Sequence, residues 1–279
     1  MPKLHLKFYS ICLKIIFRFY EKKKYQGCEN MFNFFADKSC RNDNKYYLTG
    51  TDFNHIKNVL RMKEGDTFLV SCSGKSDLCR LEAFEGETVI AEIEEENYQN
   101  CELPARIYLF QGLPKSDKME LIIQKCVELG VTDIVPVEMS RSIVKIEEKK
   151  KQSKITRWQA IAESAAKQSK RNLIPEIHSV VNYNQAIDLA KNLDLIAVPY
   201  ENKDGMISTA NFLNEIKPNT SIGIFIGPEG GFEEKEIEMA KEVDAHIISL
   251  GKRILRTETA AITAIGMCML YIELNGENQ

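Results

Sequence analysis

The sequence predicts an α/β fold for its longer C-terminal part and a small β-rich domain before it. Of the 279 residues, 44% are hydrophobic and 28% are charged, which is typical of a soluble globular chain with room for about two domains. Short strand patterns separated by turns predominate before residue 100, whereas apolar runs alternate with helical patterns after residue 105. We therefore expect two folded regions that join near residue 100.

The first 30 residues differ in charge from the rest of the chain. They carry a net charge of +5, although the whole chain carries −3. Cations at Lys7, Lys14 and Arg18 interrupt the apolar run, which argues against a transmembrane span or a signal peptide. We interpret residues 1–30 as an N-terminal extension outside the fold, with Met31 opening the working protein. An amphipathic helix at a membrane surface is the alternative interpretation.

Residues 31–100 have the pattern of a small β-barrel. Four short runs, YYLTG, DTFLVSC, DLCRLEAF and TVIAEIEE, are separated by Gly, Ser, Asp or Asn and predict strands. HIKNVLRM at 55–62 predicts a helix. The polar stretch at 94–104 ends in Pro104 and predicts a linker between the domains.

Residues 105–279 have the pattern of a parallel sheet with helices on its faces. The predicted strands are RIYLFQGL, TDIVPVEM, LDLIAVPY, SIGIFIGPEGG and AHIISLG. A helix is predicted to begin at Asp117, with Glu120 at capping-box spacing, and to end at Gly130. Its apolar stripe is predicted to consist of Met119, Ile122, Ile123, Cys126 and Val127. Further helices are predicted at 149–171, 233–243 and 258–273.

The cysteines and the absence of common motifs exclude several classes of function. The eight cysteines include no Cys-x-x-Cys pair, which argues against a zinc site or a disulfide framework and favours a reducing compartment. The sequence contains no G-x-G-x-x-G, no P-loop, no G-x-S-x-G and no H-E-x-x-H. A dinucleotide-binding Rossmann site, a P-loop enzyme, an α/β-hydrolase and a zinc protease therefore have no support, and we expect no metal.

Two loops that follow predicted strands are candidates for a joint ligand pocket. The first is IGPEGG at 226–231 and the second is LGKRILRTETA at 250–260. Ligands of open α/β sheets bind beyond the carboxyl ends of the strands, and glycine allows the backbone to approach them closely. The alternative is that both loops are only strand-to-helix turns, with Thr257 as an N-cap.

A basic segment lies within this acidic chain. Residues 141–171 carry a net charge of +7, which would suit contact with a nucleic-acid backbone, although the overall charge alone does not indicate one. The alternative for Lys149–Lys154 is a solvated helix face.

Four segments together resemble the RsmE family, which are bacterial 16S rRNA uridine-N3 methyltransferases of the SPOUT superfamily. These segments are GLPKSDKMELIIQKCVELGVTDIVPVEMSRSIVK, AAKQSKRNLIPEI, IGPEGGFEEKE and LGKRILRTETAAITAI, and HIKNVLRMKEGD resembles the PUA-like start domain. The resemblance implies a PUA-like RNA-binding β-barrel at 31–100 and a SPOUT α/β domain with a trefoil knot at 105–279. Asn33 stands where family members often have an Arg, which puts an RNA contact there in doubt.

The resemblance also implies the cofactor, the partners and the roles of individual residues. S-adenosylmethionine would bind in the knot, and the enzyme would be a cytoplasmic homodimer without membrane or metal that acts on 16S rRNA or the small ribosomal subunit. Arg256 and Glu258 would be the catalytic residues. Positions near the RNA or the pocket would be Lys115, Lys118, Arg141, Gln168 and Arg171. The cofactor site would be lined by Gly227, Glu229, Gly230, Leu250, Gly251, Ile254 and Leu255.

Arg256 suits the chemistry because a guanidinium can stabilise the anion that forms when uridine loses its N3 proton. Glu258 could accept that proton or orient Arg256, and we favour orientation because an ordinary carboxylate is a weak base at neutral pH. Two other functions remain open. One is a related SPOUT methyltransferase that acts on another base or a ribose 2′-OH, and the other is a non-catalytic RNA-binding module.

Overall fold

The computed structural model describes residues 31–115, 117–200 and 205–276. The extension expected at residues 1–30 lies outside the described residues. The chain passes from a first compact unit to a second between Tyr98 and Gln99.

The first unit is built on a six-stranded sheet in the order β1-β4-β5-β6-β3-β2. β1 pairs with β4 in parallel, and β3 pairs antiparallel with β2 and β6. Residues such as Phe34, Tyr46 and Phe68 form its buried core. All four predicted strands are present, and the short β1 and β2 were not predicted. The strands are β1 (Asn33–Phe35), β2 (Arg41–Asn42), β3 (Lys45–Leu48), β4 (Thr67–Cys72), β5 (Lys75–Glu85) and β6 (Thr88–Gln99).

The helix of this unit begins earlier than the sequence predicts. A short helix, α1 (Gly50–Asn54), continues into a π-helical turn at His55–Val59, so the boundaries predicted at 55–62 are wrong. Ile56 is completely buried. Gly50, the first residue of α1, has φ of 62°. This left-handed conformation carries no steric penalty for glycine, which has no side chain.

The predicted linker at 94–104 is also wrong in its first half, because β6 continues to Gln99. Side chains of β5 hold this polar end of the strand. The backbone N–H of Asn97 donates to Asp77 Oδ1 at 2.8 Å, and Arg80 pairs with Glu94 at 2.7 Å. These cross-strand contacts extend a strand whose composition alone suggested a loop.

The side chain of Asn33, where the family often has an arginine, belongs to the packing of the sheet. Asn33 Oδ1 accepts a hydrogen bond from Ser71 Oγ at 2.9 Å, and Asn33 is paired with Leu69 in the β1–β4 register.

The second unit contains a seven-stranded sheet with helices, in agreement with the predicted α/β class. Six strands follow the order β10-β8-β7-β12-β11-β13, and β9 also pairs with β8. All these pairings are parallel. The strands are β7 (Arg106–Gly112), β8 (Asp133–Glu138), β9 (Glu176–Ile177), β10 (Val181–Asn182), β11 (Leu195–Pro199), β12 (Ser221–Ile226) and β13 (His246–Ile248).

Six helices follow in the described part of this unit, and the sequence predicted four of them. The buried stripe predicted on α2 is confirmed, since Met119, Ile122, Ile123, Cys126 and Val127 are all buried. The helices not predicted are α4 and α5. The full set is α2 (Lys118–Glu128), α3 (Glu148–Gln168), α4 (Tyr183–Ala190), α5 (Met206–Glu215), α6 (Glu234–Lys241) and α7 (Thr257–Gly276).

The predicted capping box of α2 is wrong. Asp117 is the N-cap residue, but its side chain makes no capping hydrogen bond. Glu120 instead pairs with Arg157 on α3 at 2.8 Å, so its carboxylate joins the two helices. Gly130 has φ of 95° and follows the helix end, as predicted.

The last helix, α7, is long and apolar enough to cross a membrane by length and composition only. Its residues Ala261, Ala264, Ile265 and Cys268 are completely buried in this unit. Packing in the core of this unit therefore accounts for one apolar face of the helix.

Candidate active site

A cavity of about 490 Å³ lies where the loops after β12 and β13 meet the end of β11. The predicted joint pocket is therefore present. Seven of the residues singled out in the sequence line it, namely Lys118, Arg141, Gly227, Glu229, Ile254, Leu255 and Arg256. Thr257 and Ala260 also line it and belong to the predicted loop at 250–260, whereas the sequence did not indicate Pro199, Tyr200 and Phe232.

The glycine-rich loop after β12 is wound too tightly for side chains at several positions. A Cβ at Gly227 would lie 3.2 Å from the carbonyl carbon of Gly231 and from the ring of Phe232. A Cβ at Gly230 would lie 2.8 Å from Arg141 Cβ. The backbone of Gly227 and Gly231 consequently borders the cavity directly, as a site that recognises a ligand through main-chain groups requires.

A buried chain of hydrogen bonds connects the loop of residues 226–231 with the start of α7. Gln111 Nε2, at the end of β7, donates to Thr257 Oγ1 at 3.0 Å, and Thr257 Oγ1 donates to the carbonyl of Gly227 at 2.7 Å. Thr257 is therefore not the N-cap that the sequence predicted, since the carbonyl of Arg256 accepts the first helical bond, from Ala260 N–H. Sequence reasoning missed Gln111, which is completely buried at the end of an apolar strand.

Lys118 joins the carboxylates of both loops. Its Nζ lies 3.1 Å from Glu229 Oε1 and 3.2 Å from Glu258 Oε2. The backbone N–H of Lys115 also donates to the Glu229 carboxylate, at 3.1 Å. Burial would raise the pKa of Glu229, but the backbone N–H groups of Glu229 and Lys115 and the Lys118 ammonium together hold it below its usual range. Glu258, predicted to be catalytic, is thus held beside the cavity by Lys118.

Arg141 also contacts the loop of residues 226–231. Its Nη1 donates to the carbonyl of Gly230 at 3.3 Å, and the residue is exposed. Its neighbour Ser140 is fixed by buried Glu236, whose Oε1 accepts from the Ser140 N–H at 3.0 Å. Glu236 Oε2 accepts from the N–H of Glu233, which fixes the start of α6. Sequence reasoning missed Glu236, whose spacing from Glu233 matches a capping pair.

The loop after β13 contributes some of its predicted residues to the cavity. Ile254, Leu255 and Arg256 line it, and Ile254 is 94% exposed. Leu250 and Gly251 are not among the lining residues, although Gly251 has φ of 106° and its N–H donates to Ser249 Oγ. Their part in this structure is to form the turn that leads into the site.

Three of the residues assigned to RNA binding, Lys115, Gln168 and Arg171, are not among those that line the cavity. Gln168 is the exposed last residue of α3. Arg171 is only 2% exposed, and its guanidinium binds Glu102 and the carbonyls of Val127 and Val131. The prediction that Arg171 contacts RNA is therefore wrong. Its guanidinium instead holds the segment before β7 against the end of α2.

Much of the positive charge of the basic segment is matched by neighbouring acids. Lys149 and Lys150 both pair with Glu147, while Lys167 pairs with Glu163. Lys151 pairs with Glu138 and Glu148. These ion pairs agree with the alternative that Lys149–Lys154 is a solvated helix face. The cations at the cavity are therefore the stronger candidates for contact with the substrate.

The cavity suits S-adenosylmethionine in size and lining. Its volume of about 490 Å³ lies within the ordinary range for small-molecule sites. Ile226, Leu255 and Phe232 offer apolar walls for an adenine ring, and the tight turn at Gly227 offers main-chain polar groups. Arg141 and Arg256 border the cavity as cations, as an approaching anionic substrate requires.

The chain matches two known domain families. The RNA methyltransferase domain matches residues 101–269, and the RNA methyltransferase PUA domain matches residues 48–102. Ribosomal RNA small subunit methyltransferase E of Bacillus subtilis is 39% identical over 234 residues, covering 82% of this chain and 91% of the relative. The protein of the same name from Mesomycoplasma hyopneumoniae is 35% identical, covering 86% of this chain and 99% of the relative.

Solved structures agree with these relatives. Ribosomal RNA small subunit methyltransferase E from Neisseria gonorrhoeae, bound to S-adenosyl methionine, is 33% identical with a TM-score of 0.70, covering 86% of this chain and 98% of that one. A methyltransferase from Legionella pneumophila with bound SAM is 29% identical, with a TM-score of 0.71 and the same coverage. The domain match, the sequence identity and the similarity of fold agree with one another and with a cavity that suits this cofactor. The chain therefore belongs to the family of ribosomal RNA small subunit methyltransferase E, the RsmE family.

Proposed function

We propose that this protein transfers the methyl group of S-adenosylmethionine to N3 of a uridine in 16S rRNA of the small ribosomal subunit. The observation that carries the proposal is the cavity between the loops after β12 and β13. Glycine backbone and Arg256 line this cavity, and Lys118 holds Glu258 beside it. When bound, S-adenosylmethionine supplies an electrophilic methyl group on a sulfonium. Gly227, Glu229, Gly230, Leu250, Gly251, Ile254 and Leu255 are proposed to hold it.

Arg256 is the proposed catalytic residue. Uridine N3 becomes nucleophilic only when its proton leaves, and the resulting negative charge spreads to the flanking carbonyl oxygens. A guanidinium at the rim of the cavity stabilises that charge with two parallel N–H groups. Arg256 is exposed at this rim, where an extruded base can reach it.

Glu258 is proposed to act on Arg256 rather than as the base. Its carboxylate oxygen lies 3.2 Å from Lys118 Nζ, and its side chain is 16% exposed. A carboxylate that is paired with an ammonium group is a weaker base, which favours the orientation of Arg256 over proton abstraction from uridine.

RNA binding is assigned to both units of the chain. Lys115, Arg141 and Gln168 are the candidates in residues 105–279. The domain at 31–100 is proposed to hold RNA beside the target, since Arg61 and Lys63 are exposed after the π-helical turn and residues 48–102 match the RNA methyltransferase PUA domain. Arg61→Glu should weaken binding to 16S rRNA, measured by filter binding, without changing the affinity for S-adenosylmethionine. Unchanged RNA affinity would contradict this assignment of Arg61.

A homodimer, a cytoplasmic location and a trefoil knot in residues 105–279 complete the proposal. Leu270 and Leu274 lie one turn apart on α7 and are 55% and 50% exposed, which suits an apolar contact between two copies. Leu270→Glu combined with Leu274→Glu should convert a dimer into monomers in light scattering after size exclusion. A dimer mass in that variant would exclude this face as the contact.

The test of the activity uses small subunits or 16S rRNA from a strain that lacks the modification. The protein is incubated with S-adenosylmethionine labelled in the methyl group, and the modified nucleotide is then mapped by nuclease digestion and mass spectrometry. We expect N3-methyluridine at one position. Label on another base or on a ribose would identify the related SPOUT activity, and RNA binding without any label would identify a non-catalytic module.

A further inference from the structure

Three segments that are distant in sequence meet at the ammonium group of Lys118. Lys118 is the first residue of α2, Glu229 belongs to the loop after β12, and Glu258 lies in the first turn of α7. The two distances from Nζ, 3.1 Å and 3.2 Å, are nearly equal, so the ammonium lies between both carboxylates. The hydrogen bond to Glu229 is the main reason that the pKa of Lys118 is raised, and Glu258 adds to it.

All three side chains are partly withdrawn from solvent. Their exposed fractions are 26% for Lys118, 28% for Glu229 and 16% for Glu258. An ion pair on an open surface contributes little, but a cation shared by two partly buried carboxylates stabilises one geometry of both loops. The Lys115 N–H adds a second attachment for Glu229.

The local charge argues against a phosphate contact by Lys118. One ammonium and two carboxylates leave this cluster with a net negative charge. A phosphate that approached Lys118 would meet both carboxylates within hydrogen-bonding distance of the same nitrogen. The expectation that Lys118 binds RNA therefore gives way to a role inside the site.

We propose that Lys118 is a positioning residue for methyl transfer, which holds Glu258 and the Glu229 loop in the arrangement that Arg256 and the cofactor require. This inference rests on the proposed function for its catalytic consequence. Its structural part, the joining of both loops by one ammonium, is measurable without any turnover.

The first arm of the test measures single-turnover methyl transfer with saturating cofactor and RNA. Lys118→Met removes the charge and keeps most of the length, and we expect the rate to fall about 10- to 100-fold because the reacting groups lose alignment. Lys118→Arg should recover most of the rate. Lys125→Met is the matched control on the same helix, since Lys125 pairs only locally with Glu128, and it should leave the rate unchanged.

A double-mutant cycle shows whether Lys118 acts through Glu258. In a Glu258→Ala background, Lys118→Met should lower the rate by a smaller factor than it does in the wild type, because only Glu229 of its two partners remains. Full multiplication of the two effects would overturn the proposal. A raised KM for RNA with unchanged kcat would overturn it as well, because that result identifies a phosphate contact.

The second arm uses hydrogen–deuterium exchange of the cofactor-free protein. Lys118→Met should accelerate exchange of amides in residues 229–231 and 257–260, while Lys125→Met should not. Unchanged exchange in Lys118→Met would overturn the inference whatever the catalytic result. If wild-type protein transfers no methyl group, the proposed function fails, and the exchange arm still decides whether Lys118 joins the loops.

Discussion

Arg256 lies at the rim of the cavity and directly precedes Thr257, which is buried. The backbone at this point is fixed by the Ala260 N–H, which donates to the Arg256 carbonyl at 2.8 Å. The guanidinium is therefore presented by a fixed main chain while the side chain itself is exposed. This combination suits a group that must meet a substrate arriving from solvent.

Arg256→Ala should abolish most methyl transfer while cofactor binding survives. The guanidinium is assigned to the developing charge on uridine, and removal of one such donor costs about 100- to 1,000-fold in kcat. The measurements are single-turnover transfer to unmodified small subunits and calorimetric titration with S-adenosylmethionine. Turnover close to that of wild type would contradict the assignment, and Arg256→Lys should recover little because an ammonium lacks the planar fork.

Thr257→Val should destabilise the protein and weaken cofactor binding together. The substitution keeps the shape of the side chain but removes the hydroxyl that joins Gln111 to the Gly227 carbonyl. Buried polar groups left without a partner cost about 1–3 kcal/mol of unfolding free energy, measurable by urea denaturation. Thr257→Ser keeps the hydroxyl and should retain most of the affinity. Equal losses in both variants would mean that the methyl group, not the hydrogen bond, matters.

For single residues, the sequence predicted the loops better than the contacts. Composition identified the residues around Gly227 and Arg256, since small residues directly after an apolar strand favour a close approach of the backbone to a ligand. It could not identify Gln111, whose role depends on Thr257, a residue far along the chain that only the fold brings near. It also could not separate buried Arg171 from the exposed cations beside it, because burial depends on the tertiary partner Glu102.

The start of β8 and the neighbouring β9 carry a charged cluster that belongs to the sheet rather than to the cavity. His178 Nε2 lies 3.0 Å from Asp133 Oδ1, while its Nδ1 lies 3.8 Å from Glu176 Oε1. Arg106 on β7 also reaches Asp133, at 3.2 Å. Potential metal-ligand atoms of Asp133, Glu176 and His178 lie within 4.8 Å of one another, but Arg106 already neutralises Asp133. The absence of a metal stays a prediction.

This cluster should make stability depend on pH. The hydrogen bond with Asp133 raises the pKa of His178 above its unfolded value of about 6.5. His178 therefore stabilises the fold fully below that value, and the contribution is lost as pH rises through the folded pKa. Burial would raise the pKa of Asp133, but hydrogen bonds from His178 and Thr132 hold it lower, so its contribution is lost as pH falls.

Urea unfolding across this pH range measures the effect. Wild-type stability should decline above pH ~6.5 as His178 loses its proton, and His178→Gln should remove that part of the decline. His246, which lies 3.6 Å from Glu215, provides the comparison, because His246→Gln tests a histidine of another strand. A decline that persists unchanged in His178→Gln would contradict the role given to this histidine.

Glycine substitutions in β7 and α7 should have opposite effects on stability. A Cβ at Gly112 would lie 2.7 Å from the nitrogen of Pro228, so Gly112→Ala must displace the loop of the active site and should destabilise the protein. A Cβ at Gly266 would meet Leu129 at 3.7 Å, an ordinary contact, and alanine favours a helix by about 0.5–1 kcal/mol. Thermal unfolding of both variants, compared with wild type, measures the signs.

The sequence distinguished helices from strands well wherever apolar residues repeated at a regular spacing over a long segment. The buried stripe of α2 and the strands of the parallel sheet follow directly from it. The two-residue strands β9 and β10 were missed because pairing with β8, not composition, makes them strands. The end of β6 was mistaken for a linker because its polar residues owe their strand conformation to partners on β5.

Across the whole molecule, charge distribution carries more information than total charge. A net charge of −3 does not indicate an RNA-binding protein, and part of the basic segment is neutralised by its own glutamates. The cations that remain close to the cavity include Arg141, whose guanidinium nitrogen contacts the Gly230 carbonyl. Position relative to the site, which the sequence does not give, decides which cations serve the substrate.

The salt dependence of RNA binding should distinguish the two kinds of cation. Arg141→Ala should reduce the slope of log affinity against log salt by about one, as expected for loss of one phosphate contact. Lys150→Ala should leave the slope unchanged, because Lys150 pairs with Glu147. Thermal unfolding confirms that both variants are folded. An equal reduction for Lys150→Ala would show that α3 contacts the RNA.

The position of β12 has a consequence for how the protein is made. β12 lies between β7 and β11, although the ribosome synthesises it long after β7. Until then the growing chain presents an unpaired edge of β7, whose Ile107, Leu109 and Phe110 are buried in the finished sheet. The nascent chain is therefore prone to association during translation. Arg256 and Thr257 are synthesised later still, so a chain released before them would lack the proposed catalytic residue and the buried hydroxyl that holds the Gly227 loop.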